Sequence, residues 1–120
     1  MSRTVYVNGD TWAHGKMDQP GLPLLYDPDH QLWLGVDAID GDPLDGAIAE
    51  LRIWNTARTP DQIKANMNAS LSGKKTGLLG CWRFDDGAGS AAKDLSGHGY
   101  RATLAGNVEW STNGPPIARR

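Results

Sequence analysis

The sequence predicts an all-β chain carrying one short α-helix, and three observations lead there. Its 120 residues combine 39% hydrophobic content with 15 glycines, 7 prolines and 5 tryptophans, the composition of a domain with many turns. Apolar residues alternate with polar ones at the period of two that half-buried strands need. Only one stretch carries the start signals of a helix. The length suits a single module over residues 1–114, with residues 115–120 as a flexible tail and residues 70–77 the place for a seam between two modules.

In chain order, Val5–Val7, Asn8-Gly9 and Asp10–Trp12 read as a hairpin, because Asn-Gly accepts positive φ at both turn positions and so matches the twist of paired strands. Met17–Asp29 holds three prolines and a glycine and reads as a loop. Gln31–Val36 alternates Leu32, Leu34 and Val36 against Trp33 and Gly35, the pattern of a half-buried strand. Asp37–Gly46 is an acidic turn region. Ile48–Trp54 is the clearest strand, rich in β-branched and aromatic side chains.

The helix starts next. Thr59 can cap it, Pro60 suits its first position and Gln62 can complete a capping box. Ile63 and Met67 then share a face, which pins a short helix over Pro60–Asn68 to a sheet edge. Leu78–Asp85 reads as a strand, Asp94–Tyr100 as a turn dense in residues that tolerate unusual backbone angles, and Asn107–Trp110 as a last short strand. Ser111–Arg120 reads as a frayed tail.

Composition excludes several functions. Twelve basic and 14 acidic residues give a net charge of −2, so no single-sign field serves nucleic acid or an anionic membrane surface. No apolar run approaches the roughly 18 residues of a membrane span. The first residues, MSRTVYVNGD, have no hydrophobic segment of the signal-peptide kind. Cys81 is the only cysteine and sits in the apolar pattern LLGCWRF, where it reads as a small buried hydrophobe. His14, His30 and His98 show no zinc spacing, and no G-x-S-x-G elbow is present. Asp85 and Asp86 are adjacent on a strand pattern and so point to opposite faces, which prevents them from flanking one glycosidic bond. Asn68-Ala69-Ser70 matches the N-glycosylation pattern and reads as chance.

Two blocks carry a family resemblance. Gly46–Asn68 reads GAIAELRIWNTARTPDQIKANMN, and Leu78–Leu104 reads LLGCWRFDDGAGSAAKDLSGHGYRATL. Together they resemble the laminin G-like branch of the concanavalin A-like jelly rolls, which is also related to the pentraxins. In that family the first block usually closes a domain and the second opens one, so the order here is reversed, as in a permuted or truncated module or at a seam between two. VYVNG resembles the hairpin of the same family. The resemblance implies an antiparallel β-sandwich, a concanavalin A-like jelly roll, and a non-catalytic binding module. Its implied partner is carbohydrate or a cell-surface protein, and its implied location is extracellular, within a larger secreted protein. The strands missing from the middle of a full module would leave sheet edge exposed, which implies a homo-oligomer. The alternative function is therefore a structural or assembly module that pairs through such edges and binds no sugar.

Candidate ligand-binding residues are Trp12, His14, Trp33, His98 and Tyr100. Trp12 follows a hairpin turn and Trp33 sits on the minority face of its strand, so both are expected to be exposed and able to stack on sugar. Trp54, Trp82 and Trp110 lie in strand patterns and are expected to be structural. The Asp94–Tyr100 turn has two readings. A glycine-rich loop opening on an aspartate can wrap oxygens around calcium, and in many relatives the corresponding loop does so. The candidate metal residues are then Asp94, Gly97 and Gly99, with Glu50 and Asp85 as helpers. Relatives often read I-D-E where this chain reads Ile48-Ala49-Glu50, which removes one carboxylate. The other reading is a tight turn in which Asp94 accepts backbone N–H bonds. Asp37, Asp40, Asp42 and Asp45 form a further acidic cluster whose spacing fails the helical-hand calcium loop and which reads as a solvated loop.

Overall fold

The computed structural model describes residues 2–16, 31–36, 41–71, 74–114 and 118–119. The expected loop at 17–29, His30, Asp37 and Asp40 lie outside these residues. The described chain is all-β with one short helix. Among the described residues eight short strands make four two-stranded sheets, three antiparallel and one parallel.

Strands β1 (Ser2–Val7) and β2 (Asp10–Lys16) form the expected hairpin. Asn8 at φ 53° and Gly9 at φ 80° supply the paired positive angles of the turn. Val5 faces Ala13 while Tyr6 faces Thr11, so Trp12 is the extra residue of a bulge. A bulge re-aims its side chain, and Trp12 stands 74% exposed.

Strand β3 (Leu51–Trp54) leads to helix α1 (Pro60–Asn66). Thr59 Oγ1 accepts from Gln62 N at 3.2 Å and Gln62 Oε1 accepts from Thr59 N at 3.0 Å, which completes the capping box. No residue of α1 is buried, so polar ties hold it. Lys64 Nζ meets Asp10 Oδ1 at 2.7 Å, and this partner raises the Lys64 pKa. A side chain on Gly9 would lie 2.6 Å from Lys64 Cγ, so the hairpin turn sits directly on the helix. At the far end Arg52 donates to Asn66 O at 2.9 Å and to Ala69 O, placing a guanidinium at the carbonyl end of the helix.

Strand β4 (Ala69–Ser70) follows, and then β5 (Leu78–Trp82), which pairs antiparallel with β3. A second bulge makes Leu79 the extra residue between Ile53 and Trp54. The core is built on this pair: Leu71, Leu78 and Cys81 are buried together, with Trp54 and Leu95 packed against them. Strands β6 (Ala91–Ala92) and β7 (Ala102–Thr103) pair antiparallel. Between them Asp94 bridges to Trp82, and Leu95 N donates to Cys81 O at 2.7 Å, so the turn runs beside β5.

Four expectations need correction. Gln31–Val36 is no strand: Gly35 takes φ 76°, which leaves the extended region, and only Val36 bridges, to Pro43. Leu32, Trp33, Leu34 and Val36 are all exposed there. The strand at Leu78 stops at Trp82, short of Asp85, because Phe84 adopts φ 52°. Asn107–Trp110 makes no strand; the Trp110 indole instead donates to Gly89 O at 2.9 Å. The tail is not frayed throughout, since β8 (Ala118–Arg119) pairs parallel with β4.

Candidate functional site

Asp94 organises the turn that follows β6. Its side chain is buried beside β5, and four donors converge on it. Oδ1 accepts from Cys81 N at 3.0 Å and Ser96 N at 2.9 Å. Oδ2 accepts from Tyr100 N at 3.0 Å and from the Ser96 hydroxyl at 2.9 Å. Burial works to raise the Asp94 pKa, yet these bonds from Ser96, Cys81 and Tyr100 outweigh it and hold the carboxyl down to about 2. The carboxylate therefore ties both ends of the turn to the strand beside it.

Ser96 passes this order outward. Its Oγ lies 3.0 Å from Leu79 O, 2.9 Å from Asp94 Oδ2 and 2.9 Å from His98 Nδ1. The hydroxyl has one hydrogen for these three neighbours and donates to one of them, while His98 Nδ1 pairs with Oγ as donor or acceptor according to its tautomer. That fixes the ring and leaves Nε2 as its outward atom. Tyr100 stacks on the same ring, with centroids 6.0 Å apart and planes 12° apart. Trp82 Nε1 donates to Tyr100 O at 2.6 Å, anchoring the far end of the turn. The result is an exposed His98–Tyr100 aromatic pair on a buried, fully bonded base.

Beside this pair lies an open cleft of about 430 Å³, lined by Asn55, Lys74, Lys75, Thr76, Gly77, Leu78, Leu79, Ser96, Gly97 and His98. Gly97, at φ 94°, carries Lys74 across it: a side chain there would lie 2.6 Å from Lys74 Cε.

The donor set expected to hold calcium does not fit the ion. Asp94 turns both oxygens to N–H and O–H donors. Glu50 is taken by Arg52 and by the Cys81 thiol at 3.8 Å, and Asp85 by Arg83 at 2.8 Å. Gly99 O accepts from Arg101 N at 3.1 Å. Among the described residues no three His, Cys, Asp or Glu side chains are grouped to hold a metal. Asp94, Gly97 and Gly99 thus build a hydrogen-bonded turn, and Glu50 and Asp85 are not part of it. Of the second acidic cluster, Asp42 and Asp45 are described and both are exposed.

The other candidates stand on separate elements. His14 sits on β2 with Nδ1 2.8 Å from Thr4 Oγ1, two positions beyond the bulged Trp12. Trp33 is exposed in the open segment before Val36. Trp54 lies under Arg58, whose guanidinium is 4.0 Å from the ring centroid, and Trp82 is buried. Cys81 is 1% exposed, and burial, with the Glu50 carboxylate adding, pushes its thiol up to about 11.

A laminin G family model, described as the concanavalin A-like lectin/glucanases superfamily, matches residues 2–64, just over half of the chain. The chain belongs to this family. The matched stretch of the laminin G-like domain runs from the hairpin into α1, and the Asp94 turn lies beyond it. No curated protein and no solved structure matches the chain. Domains of this superfamily often bind ligands, and laminin G-like domains are typically extracellular. No helix among the described residues is long and apolar enough to cross a membrane.

Sequence reasoning missed Lys74, Lys75 and Asn55 as cleft residues. The available signal was the run Lys74-Lys75-Thr76-Gly77, a polar corner just ahead of the apolar β5.

Proposed function

We propose that this laminin G-like domain is a non-catalytic, extracellular recognition module that binds carbohydrate at the rim formed by the Asp94–Tyr100 turn. The observation that carries the reading is the exposed His98–Tyr100 pair, held rigid beside a cleft by the buried Asp94–Ser96 network. An aromatic face fixed in advance loses little rotamer freedom when a sugar ring stacks on it. The polar groups of Asn55, Thr76 and His98 stand beside it for hydroxyl contacts.

The local chemistry opposes catalysis. Ser96 lies between Asp94 and His98, whereas a nucleophilic triad needs the histidine in the middle. Ser96 is buried, and its hydroxyl is engaged by Leu79 O, Asp94 and His98. Asp85 is paired with Arg83, and Asp86 Oδ2 accepts from Lys93 N at 3.1 Å, so neither is a free acid beside the cleft. The test is a glycan array followed by calorimetry on the strongest hit. Tyr100→Ala should weaken that hit at least about tenfold, roughly 1.4 kcal/mol, without lowering the melting midpoint. A blank array, or an indifferent Tyr100→Ala, overturns the reading.

A second reading rests on a different surface. Leu32, Trp33, Leu34, Val36 and Leu44 are exposed on one bridged segment, and among the described residues each sheet is two strands wide. Edges and apolar groups of this kind suit pairing with a second copy. A monomer by light scattering at micromolar concentration would sink the assembly reading.

A further inference from the structure

The chain holds its two kinds of sulfur in opposite settings. Cys81 is 1% exposed, and burial pushes its thiol up to about 11, so an oxidant meets little thiolate there. Met67 is 44% exposed and stands at the C-cap of α1. A thioether needs no deprotonation to react, so exposure favours Met67 over Cys81 as the sulfur a peroxide reaches. The other two methionines, Met1 and Met17, lie outside the described residues.

Met67 is not a loose surface side chain. Its N–H donates to Ile63 O at 2.9 Å and its backbone keeps helical angles, φ −66° and ψ −26°, so the main chain is fixed. Lys64 lies three positions earlier on the same helical face. Both side chains close over Gly9 in the hairpin turn: a side chain on Gly9 would lie 2.6 Å from Lys64 Cγ and 3.2 Å from Met67 Sδ. Gly9 is buried, although Asn8 and Asp10 on either side of it are exposed. The joint between α1 and the hairpin thus has a polar half, Lys64 with Asp10, and an apolar half, Met67 with Gly9. The side chains of Lys64 and Asp10 are 52% and 77% exposed, and an ion pair so open to water contributes little. Among the described residues no third strand joins β1 and β2, and a two-stranded hairpin is marginal by itself. The thioether contact therefore matters to the order of the hairpin.

We propose that Met67 is a modification site, where a hydroperoxide oxidises the thioether to the sulfoxide and so releases the β1–β2 hairpin from α1. The O–O bond breaks and an S–O bond forms; the sulfur gives up two electrons, and hydrogen peroxide leaves as water. A sulfoxide is polar and favours water, so the side chain turns outward and uncovers Gly9. The hairpin carries Trp12 and His14, so oxidation loosens that surface while the Asp94 turn, held on β5, keeps its bonds. This assignment is independent of the saccharide reading.

Limited hydrogen peroxide on the intact chain, followed by peptide mass spectrometry, should add one oxygen at Met67 while Cys81 stays a free thiol. Hydrogen exchange should then run about tenfold faster at the β1 and β2 amides, with β3 and β5 unchanged. Methionine sulfoxide reductase with a dithiol should restore slow exchange. Met67→Leu keeps an apolar side chain and should hold the hairpin before and after peroxide. Met67→Gln, polar and of similar length, should exchange fast at the hairpin with no oxidant. An oxidised Met67 with unchanged hairpin exchange overturns the proposal, as does a Met67 that stays reduced while Cys81 oxidises. Fast hairpin exchange in peroxide-treated Met67→Leu would move the effect to another residue and overturn it too.

Discussion

Replacing Asp94 with asparagine keeps the shape of the side chain and removes one acceptor oxygen. The carboxylate takes four donors, two on each oxygen, whereas an amide NH2 accepts none. With the amide oxygen toward Cys81 N and Ser96 N, the Tyr100 N bond is lost and the Ser96 hydroxyl must turn to accept from the NH2; in the other orientation the bonds from Cys81 N and Ser96 N are both lost. The first magnitude comes from the proton equilibrium. Between the ordinary 3.8 and the native value of about 2, at about 1.36 kcal/mol per pH unit, the ionised form stabilises the fold by about 2 kcal/mol. Asp94 and Ser96 are buried, so stranded donors add a penalty, and the whole change should cost about 3 kcal/mol. For a chain this size that is roughly a 12 °C fall in the midpoint. The pH dependence is the sharper test. A carboxyl held below its ordinary value contributes fully above pH ~4 and loses that contribution as pH falls toward ~2. Denaturant melts of both proteins at neutral pH and near pH 2 should show the gap shrinking by about 2 kcal/mol in acid. A cost below about 1 kcal/mol at neutral pH, or a gap that ignores pH, would refute the view that Asp94 organises the turn by charge.

Three further outcomes follow from the geometry. Melting midpoints in chelator and in excess calcium should agree, because the Asp94 oxygens are already engaged; a saturable rise approaching roughly 2.7 kcal/mol at 100 times the dissociation constant would contradict this. Gly80→Ala should displace the Trp82 ring, since a side chain there would lie 2.3 Å from Trp82 Cη2; the expected cost is about 1–3 kcal/mol with a shift in tryptophan emission, and an unchanged spectrum would count against the packing. Cys81 should resist a thiol reagent at mildly alkaline pH in the native state and react on unfolding, because it is 1% exposed with a thiol pKa of about 11. Rapid native labelling would show that β5 opens.

What the sequence made legible was local. The Asn8-Gly9 turn and the Thr59–Gln62 capping box depend on residues within three or four positions, and both form as the pattern dictates. The Asp94 turn is local in its bonds to Ser96 and Tyr100, so its alternative reading as a tight turn could also be made in advance. Gln31–Val36 has the alternation of a strand but only one bridge, and alternation without a partner does not fix a strand. Bulges were invisible, because the extra residue is defined by the facing strand; Trp12 and Leu79 owe their exposure to register. Lys74 reaches the rim only because Gly97, more than twenty positions later, folds under it.

The two blocks meet in the structure in a way that bears on function. Gly46–Asn68 supplies β3 and Leu78–Leu104 supplies β5, and these strands pair directly, with Leu51 opposite Trp82 and Arg52 opposite Cys81. The buried cluster of Leu71, Leu78 and Cys81 lies along that junction, with Trp54 from one block and Leu95 from the other packed on it. Arg52 then ties β3 to the end of α1 and to β4, so the closing block is braced on its outer side. On the inner side, Cys81 N and Leu79 O reach across to Asp94 and Ser96. The rim is therefore assembled on β5, and β5 is held in register by β3. An aromatic pair presented by a turn would ordinarily be as mobile as its loop. Here each of its anchors ends on the strand at the centre of the junction, so the residues best placed to meet a ligand rest on the best-packed part of the chain.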